Sequence, residues 1–144
     1  RTFTAFMRSI GDDKTRLDRR EPELNEATPG DARDTTTPIA AARSLQTLLL
    51  DGVLSAPARN ELTQWMLGDQ VADALLRAGL PRDWQIADKS GAGGHGSRSI
   101  IAVVWPPKRS AVIVAIYITQ TAASMSASNQ AVSRIGSALA KALQ

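Results

Sequence analysis

The chain has no cysteine, one histidine and few aromatic residues, with two phenylalanines, one tyrosine and three tryptophans. Without thiols there is neither a disulfide framework nor a thiolate metal site. A single histidine, His95, with no carboxylate cluster near it in sequence, cannot build a zinc centre. Flanked by glycines, His95 reads as exposed and without a role. No apolar run approaches membrane-spanning length. The longest, AVIVAIYI from Ala111, is too short to cross a bilayer. Charge of one sign does not dominate: 17 basic and 14 acidic residues leave a net +3, mixed along the chain. Sparse aromatics and scattered cations argue against nucleic acid as a partner. There is no signal-peptide pattern and no initiator methionine, which fits a fragment or processed product.

What remains is a chain of 144 residues, 43% hydrophobic and 22% charged, enough for one real core. Helical periodicity comes first. Phe3, Phe6, Met7 and Ile10 share a face, with Gly11 as a stop. Thr37-Pro38 is a helix start, followed by a stripe of Ile39, Ala42, Leu45, Leu48 and Leu49 that ends at Gly52. Ser55 and Pro57 start the next, with Leu62, Trp65 and Met66 as its apolar face and Gly68 as its end. Val71, Ala74, Leu75 and Ala78 form a third pattern before Gly79-Leu80-Pro81. The composition then turns to strand: Trp84 to Lys89, Ser99 to Trp105 and Ala111 to Thr119, with connections short enough to require antiparallel pairing. Gly91 to Gly96 reads as a glycine-rich bend. Ser126 or Ser128 caps a last helix with Val132, Ile135, Leu139 and Leu143 as its stripe. Trp65, Trp84 and Trp105 read as packing residues. The fold class is α+β, with a helical part at 1–82 and an α/β part at 83–144. Strands apolar on both faces need cover on both. The last helix covers one face; the other needs the earlier helices or a segment outside the chain. The chain alone is expected to fold poorly, because its sheet lacks cover on one face.

Between the first two helices lies Arg16 to Asp34, RLDRREPELNEATPGDARD. Two prolines and a glycine forbid one regular element, so the segment reads as an Ω-loop. Arg16 and Arg19 at one end face Asp31 and Asp34 at the other, and pairing between them would latch the loop. Within it, Glu21 and Asn25 fall one helical turn apart and face the same way. A carboxylate beside a carboxamide can hold one water from two directions, as a general base and its positioning partner do. Farther on, Lys89-Ser90-Gly91 ends a strand and Arg98 begins its neighbour. Two cations and a hydroxyl suit a carboxylate ligand.

RLDRREPELNEATPGDARDTTTP, followed in register by KSGAGGHGSR and the last helix, resembles the class A serine β-lactamases over essentially the whole chain. The resemblance is to the C-terminal half of that family. It implies β-lactam hydrolysis through a serine acyl-enzyme, and antibiotic resistance. It gives Glu21 the role of general base for the deacylating water, with Asn25 orienting that water and the Glu21–Pro22 bond cis. Lys89 then supplies positive potential, Ser90, Gly91 and Arg98 hold the substrate carboxylate, and the Ala92 N–H is one of two oxyanion-hole donors. Asn129 matches the asparagine that contacts the arginine, or else caps a helix. Ala92-Gly93-Gly94 and the run toward Trp105 resemble the penicillin- and carbenicillin-hydrolysing branch. The implied partners are a penicillin substrate and the N-terminal half of the same enzyme, with a periplasmic or secreted location and no cofactor or metal. Ser-x-x-Lys, which carries the nucleophile, and Ser-x-Asn, the second family motif, are both absent from the chain. Two rivals follow: a penicillin-binding transpeptidase or carboxypeptidase, which would lack the Glu-x-x-x-Asn loop, and a non-catalytic complementing fragment.

Overall fold

The computed structural model describes residues 2–143. Helix α1 spans Thr2–Ser9, α2 Pro38–Leu49, α3 Ala56–Leu67 and α4 Met125–Leu143. Strands β1 (Gln85–Gly93), β2 (Ser97–Trp105) and β3 (Val112–Ile118) form an antiparallel sheet in the order β1-β2-β3. Two caps are the ones the sequence spells: Thr37 accepts from Ala40 N and Ser55 from Ala58 N, each followed by an early proline. Gly68 ends α3.

The sheet is buried on both faces. On one, Ile86, Ile100, Ala102 and Val104 pack with Ala72, Leu75, Leu76 and Val132. On the other, Ala87 and Val103 pack with Leu45, Leu49 and Met66. The second face is therefore covered by α2 and α3 of this chain, and the reason for expecting poor folding alone disappears. Trp84 packs on the first cluster and Trp105 on the second. Trp65 does not pack; it is 66% exposed.

Several stripes differ from the sequence pattern. On α2 the buried set is Ala40, Ala41, Ser44, Leu45 and Leu49, while Ile39 faces out. On α1 only Met7 is buried, and Phe3 and Phe6 are exposed. After α3, the buried residues are Ala72, Leu75 and Leu76 rather than Val71, Ala74 and Ala78. Here the chain turns irregularly, because Leu75 leaves the helical region (φ −98°, ψ −124°). On α4 the buried line is Ser128, Val132, Gly136 and Ala140, with Ile135 exposed. The reason is close approach. A Cβ on Gly136 would lie 2.7 Å from Leu76 O, and one on Gly79 would lie 1.9 Å from Ser133 O. Small residues bring the two backbones together, and larger apolar ones are turned aside.

β1 and β2 run farther than the alternation suggests. The glycine-rich segment is strand as far as Gly93, and pairing begins again at Ser97. The reversal is Gly94-His95-Gly96-Ser97, closed by Ser97 N donating to Gly94 O, with positive φ at His95 (52°) and Gly96 (68°). Positive φ at both central residues gives the tight turn whose twist matches a hairpin.

Asp12 ties α1 to α2. Buried, it accepts from Thr15 N, the Thr15 hydroxyl and Lys14 N, and from Ser44 Oγ at 2.7 Å. Burial alone would raise its carboxyl, but these donors outweigh it and hold it at about 2. No helix among the described residues is long and apolar enough to cross a membrane.

Candidate active site

The loop at 16–34 closes through Asp34. Its Oδ2 accepts from Arg19 Nε at 2.6 Å, and its Oδ1 from the backbone N–H of Asp18 (2.6 Å) and Arg19 (2.9 Å). The Asp34 side chain is 3% exposed, at φ +56°. Burial raises its carboxyl, yet the Arg19 and backbone donors win and hold it below the ordinary value. Arg19 also pairs with Glu26, which the sequence reading missed. Arg16 does not bridge the ends by its side chain. Its guanidinium forks onto Asp18 at 2.7 and 2.6 Å, and only its backbone N–H reaches across, to Thr35 O. Asp31 likewise pairs locally, with Arg33. The difference is one of reach: residues two apart can meet in a fork without ordering anything else.

A group whose folded value is depressed contributes stability above its unfolded value, and that stability is lost as pH falls through the folded value. The Asp34 latch is therefore whole at neutral pH. Asp34→Asn should open the loop there, because the carboxamide sets a donor against Arg19 Nε. Faster proteolytic cleavage within 16–34, at an unchanged rate elsewhere, is the expected result. Equal rates in both proteins would show that Asp34 holds nothing.

Inside the loop, a short 3₁₀ turn at Glu23–Asn25 follows Pro22, and the Glu21–Pro22 bond is cis. Asn25 Nδ2 donates to Glu21 Oε2 and, at 3.3 Å, to Pro22 O. Glu21 is exposed; Asn25 is half-buried. The same turn is fastened to the hairpin. Gly94 N donates to Asn25 O at 2.8 Å, and His95 Nδ1 lies 3.1 Å from Glu26 O. His95 is exposed, as expected from its glycine-flanked position, and its ring also reaches this turn. A Cβ on Gly93 would sit 2.7 Å from Asn25 O, and one on Gly94 would sit 2.2 Å from Glu26 O. These glycines let the loop backbone lie directly against β1.

β1 is an edge strand, and Lys89, Ser90, Gly91 and Ala92 lie along it. The register pairs Ser90 with Ile100 and Ala92 with Arg98. Ser90, Ala92 and Arg98 therefore share one face, with Ser90 and Arg98 as diagonal neighbours. Lys89, paired with Ile101, projects to the opposite face. The two cations flank β1 from two sides instead of meeting. Arg98 is buried, and its Nε donates to Asn129 Oδ1 at 2.9 Å and its Nη1 to Gly91 O at 3.1 Å. Asn129 thus orients the guanidinium, and the remaining N–H groups stay available. Lys89 Nζ is solvent-exposed and donates to Ser90 O at 3.1 Å.

One buried ion pair was not anticipated. Asp88, just before Lys89, is fully buried, and Arg77 forks onto it at 2.6 and 3.1 Å. Arg77 Nη2 also donates to Met66 O, Leu67 O and Ile86 O. The pair ties β1 to the end of α3. An aspartate inside a strand apolar on both sides was the available signal. No group of three or more His, Cys, Asp or Glu suited to a metal ion occurs among the described residues.

Residues 1–143 match the family model described as the Beta-lactamase enzyme family. The chain is 69% identical over 134 residues to β-lactamase AER-1 of Aeromonas hydrophila, covering 93% of this chain and 44% of that protein. It is 53% identical over 135 residues to β-lactamase CARB-4 of Pseudomonas aeruginosa, covering 94% and 47%. Among solved structures it is similar to an ancestral (GNCA) class A β-lactamase, with a TM-score of 0.95, 50% identity, and coverage of 96% and 54%. It is also similar to the chromosome-encoded β-lactamase of Vibrio parahaemolyticus, with a TM-score of 0.94, 48% identity, and coverage of 98% and 54%. The chain spans under half the length of these two curated relatives.

Proposed function

The chain belongs to the class A β-lactamase family, and on that premise we propose that it supplies the deacylating base and the carboxylate pocket of a serine β-lactamase. The observation that carries this reading is the Glu21–Asn25 contact, on a turn hydrogen-bonded to the hairpin that bears Lys89-Ser90-Gly91.

The chemistry follows from the groups present. A β-lactam acylates a serine, and the resulting ester must be hydrolysed. Glu21 takes a proton from a water that Asn25 orients, the water oxygen attacks the ester carbonyl, and the proton passes on to the serine oxygen as the ester bond breaks. The Ala92 N–H donates to the oxyanion that develops. Ser90 and Arg98, on one face of the hairpin, hold the substrate carboxylate, with Asn129 fixing the guanidinium. Lys89 adds positive potential from the other side of β1. The nucleophile is not among these residues, because no Ser-x-x-Lys occurs in the chain. The reading assigns it to a second stretch of polypeptide, the N-terminal half by resemblance. Penicillins are the favoured substrates and the periplasm or exterior the location, both on the strength of the resemblance.

The test is reconstitution. The chain alone should leave nitrocefin intact, and so should the part of the Aeromonas hydrophila relative that lies outside the match. Mixed, they should hydrolyse it. Turnover by the mass-verified chain alone, or a mixture that associates and stays inert, would contradict the reading.

A further inference from the structure

His95 occupies a strained place. It is the first central residue of the tight turn between β1 and β2, at φ +52°, where glycine or asparagine is the ordinary choice. Its ring reaches out of its own hairpin: Nδ1 lies 3.1 Å from Glu26 O, 69 residues away along the chain. A carbonyl oxygen only accepts, so the proton of this bond belongs to Nδ1. Beside it, Gly94 N donates to Asn25 O at 2.8 Å. Two consecutive residues of the hairpin turn thus grip two consecutive carbonyls of the loop. Glu26 is also held from its other end. Its carboxylate pairs with Arg19, whose Nε donates to Asp34 at 2.6 Å. His95, Glu26, Arg19 and Asp34 form one connected run from the hairpin tip to the latch.

We infer that His95 is a positioning residue: its Nδ1–H pins Glu26 O, fixes the turn that presents Glu21 and Asn25, and keeps the neutral ring in the Nδ1–H tautomer. One backbone bond, at Asn25 O, leaves the turn free to pivot about it. A second donor one residue farther on removes that freedom. The freedom matters because Glu21 is exposed, and among the described residues its carboxylate has one hydrogen-bond partner, Asn25, which rides on the same turn. Where that pair points is therefore inherited from the backbone of 22–26. The turn's own bonds, Asn25 N to Pro22 O and Glu26 N to Glu23 O, hold its shape and not its direction. The strain at His95 supports the same reading, since glycine would sit there more cheaply but would bring no donor. The consequence for catalysis rests on the functional reading above; the anchor and the tautomer do not.

The chain has one histidine, so a long-range proton–nitrogen correlation spectrum of the histidine-labelled chain at alkaline pH reads His95 alone. A neutral imidazole free in water carries its proton mainly on Nε2; here the proton should be on Nδ1, because the bond made by one nitrogen decides the tautomer. Amide exchange at Asn25 and Glu26 reads the anchor. His95→Gly removes the ring and relieves the positive φ, so an idle ring would leave exchange unchanged or slower. Loss of the pin should speed it about threefold to tenfold, the worth of one neutral hydrogen bond. His95→Asn tolerates the backbone and keeps a donor near the position of Nδ1, so it should restore most of the protection. His95→Asp, of the same shape without that donor, should not. A ring protonated mainly on Nε2, or parental exchange in His95→Gly, would overturn the inference. In the reconstituted enzyme, His95→Gly should slow deacylation and His95→Asn should recover it. Faster exchange with deacylation unchanged would overturn the positioning role, whereas a parent that binds its other half and hydrolyses nothing contradicts only the functional reading.

Discussion

Replacing Arg77 with methionine should lower the melting temperature of the chain by on the order of 10 °C. Asp88 is fully buried, and Arg77 is its counter-charge. Removing one member of a buried pair strands the other charge, at about 3–5 kcal/mol. Methionine keeps much of the stem volume, so the loss is electrostatic more than steric. Three backbone carbonyls, of Met66, Leu67 and Ile86, lose a donor at the same time. Arg77→Met with Asp88→Leu should recover most of the loss, since apolar replacement of both partners is often neutral. The pH dependence has a sign. Burial pushes the Asp88 carboxyl above 3.8, against the pull of Arg77. A carboxyl raised in the fold binds its proton more readily there than unfolded, so stability falls as pH rises above 3.8 through the shifted value. Without Arg77 the carboxyl rises further, and the deficit of the variant should widen from acid toward neutral pH. Calorimetry of the parent and both variants across that range checks this. A single variant as stable as the parent at neutral pH would mean the pair contributes nothing.

That pair also shows where the sequence stops being legible. The helix caps at Thr37 and Ser55, the stop at Gly68, the antiparallel strand order and the extent of the loop all follow from local rules, because one or two residues decide each. The Glu21–Asn25 contact was legible for the same reason: the two residues are one turn apart. Partners set by tertiary approach were not. Nothing local links Arg77 to Asp88, or Arg19 to Glu26 in preference to Asp31. The buried line of α4 was missed because periodicity weighs size and apolarity, while Gly136 and Ala140 are buried for their smallness against Leu76 and Gly79. Phe3, Phe6, Ile39 and Trp65 form apolar patterns that the sheet does not cover. Periodicity finds a face without saying what lies over it. The strand register did place Ser90 and Arg98 together, but sending Lys89 to the opposite face required knowing that the glycine-rich run stays extended to Gly93.

Glu21 should be needed for deacylation above all. The ester is attacked only by a water that has lost its proton to a base within about 2.6–3.2 Å. In the loop, Glu21 alone has an amide partner at the right spacing: Asn25 contacts its carboxylate, while Asp18, Glu26 and Asp34 are engaged by Arg16 and Arg19. In the reconstituted enzyme, Glu21→Ala should slow deacylation by about 10²–10⁴-fold, the usual range for a lost general base. Asn25→Ala should slow the same step less, since the base remains. The most direct measurement is the intact mass of the reconstituted Glu21→Ala protein after brief exposure to a penicillin. A covalent adduct of the drug's mass on the serine-bearing polypeptide, persisting while the parent's has cleared, is the result this account predicts. Parental turnover with no adduct would contradict it, and Glu21 would not be the base.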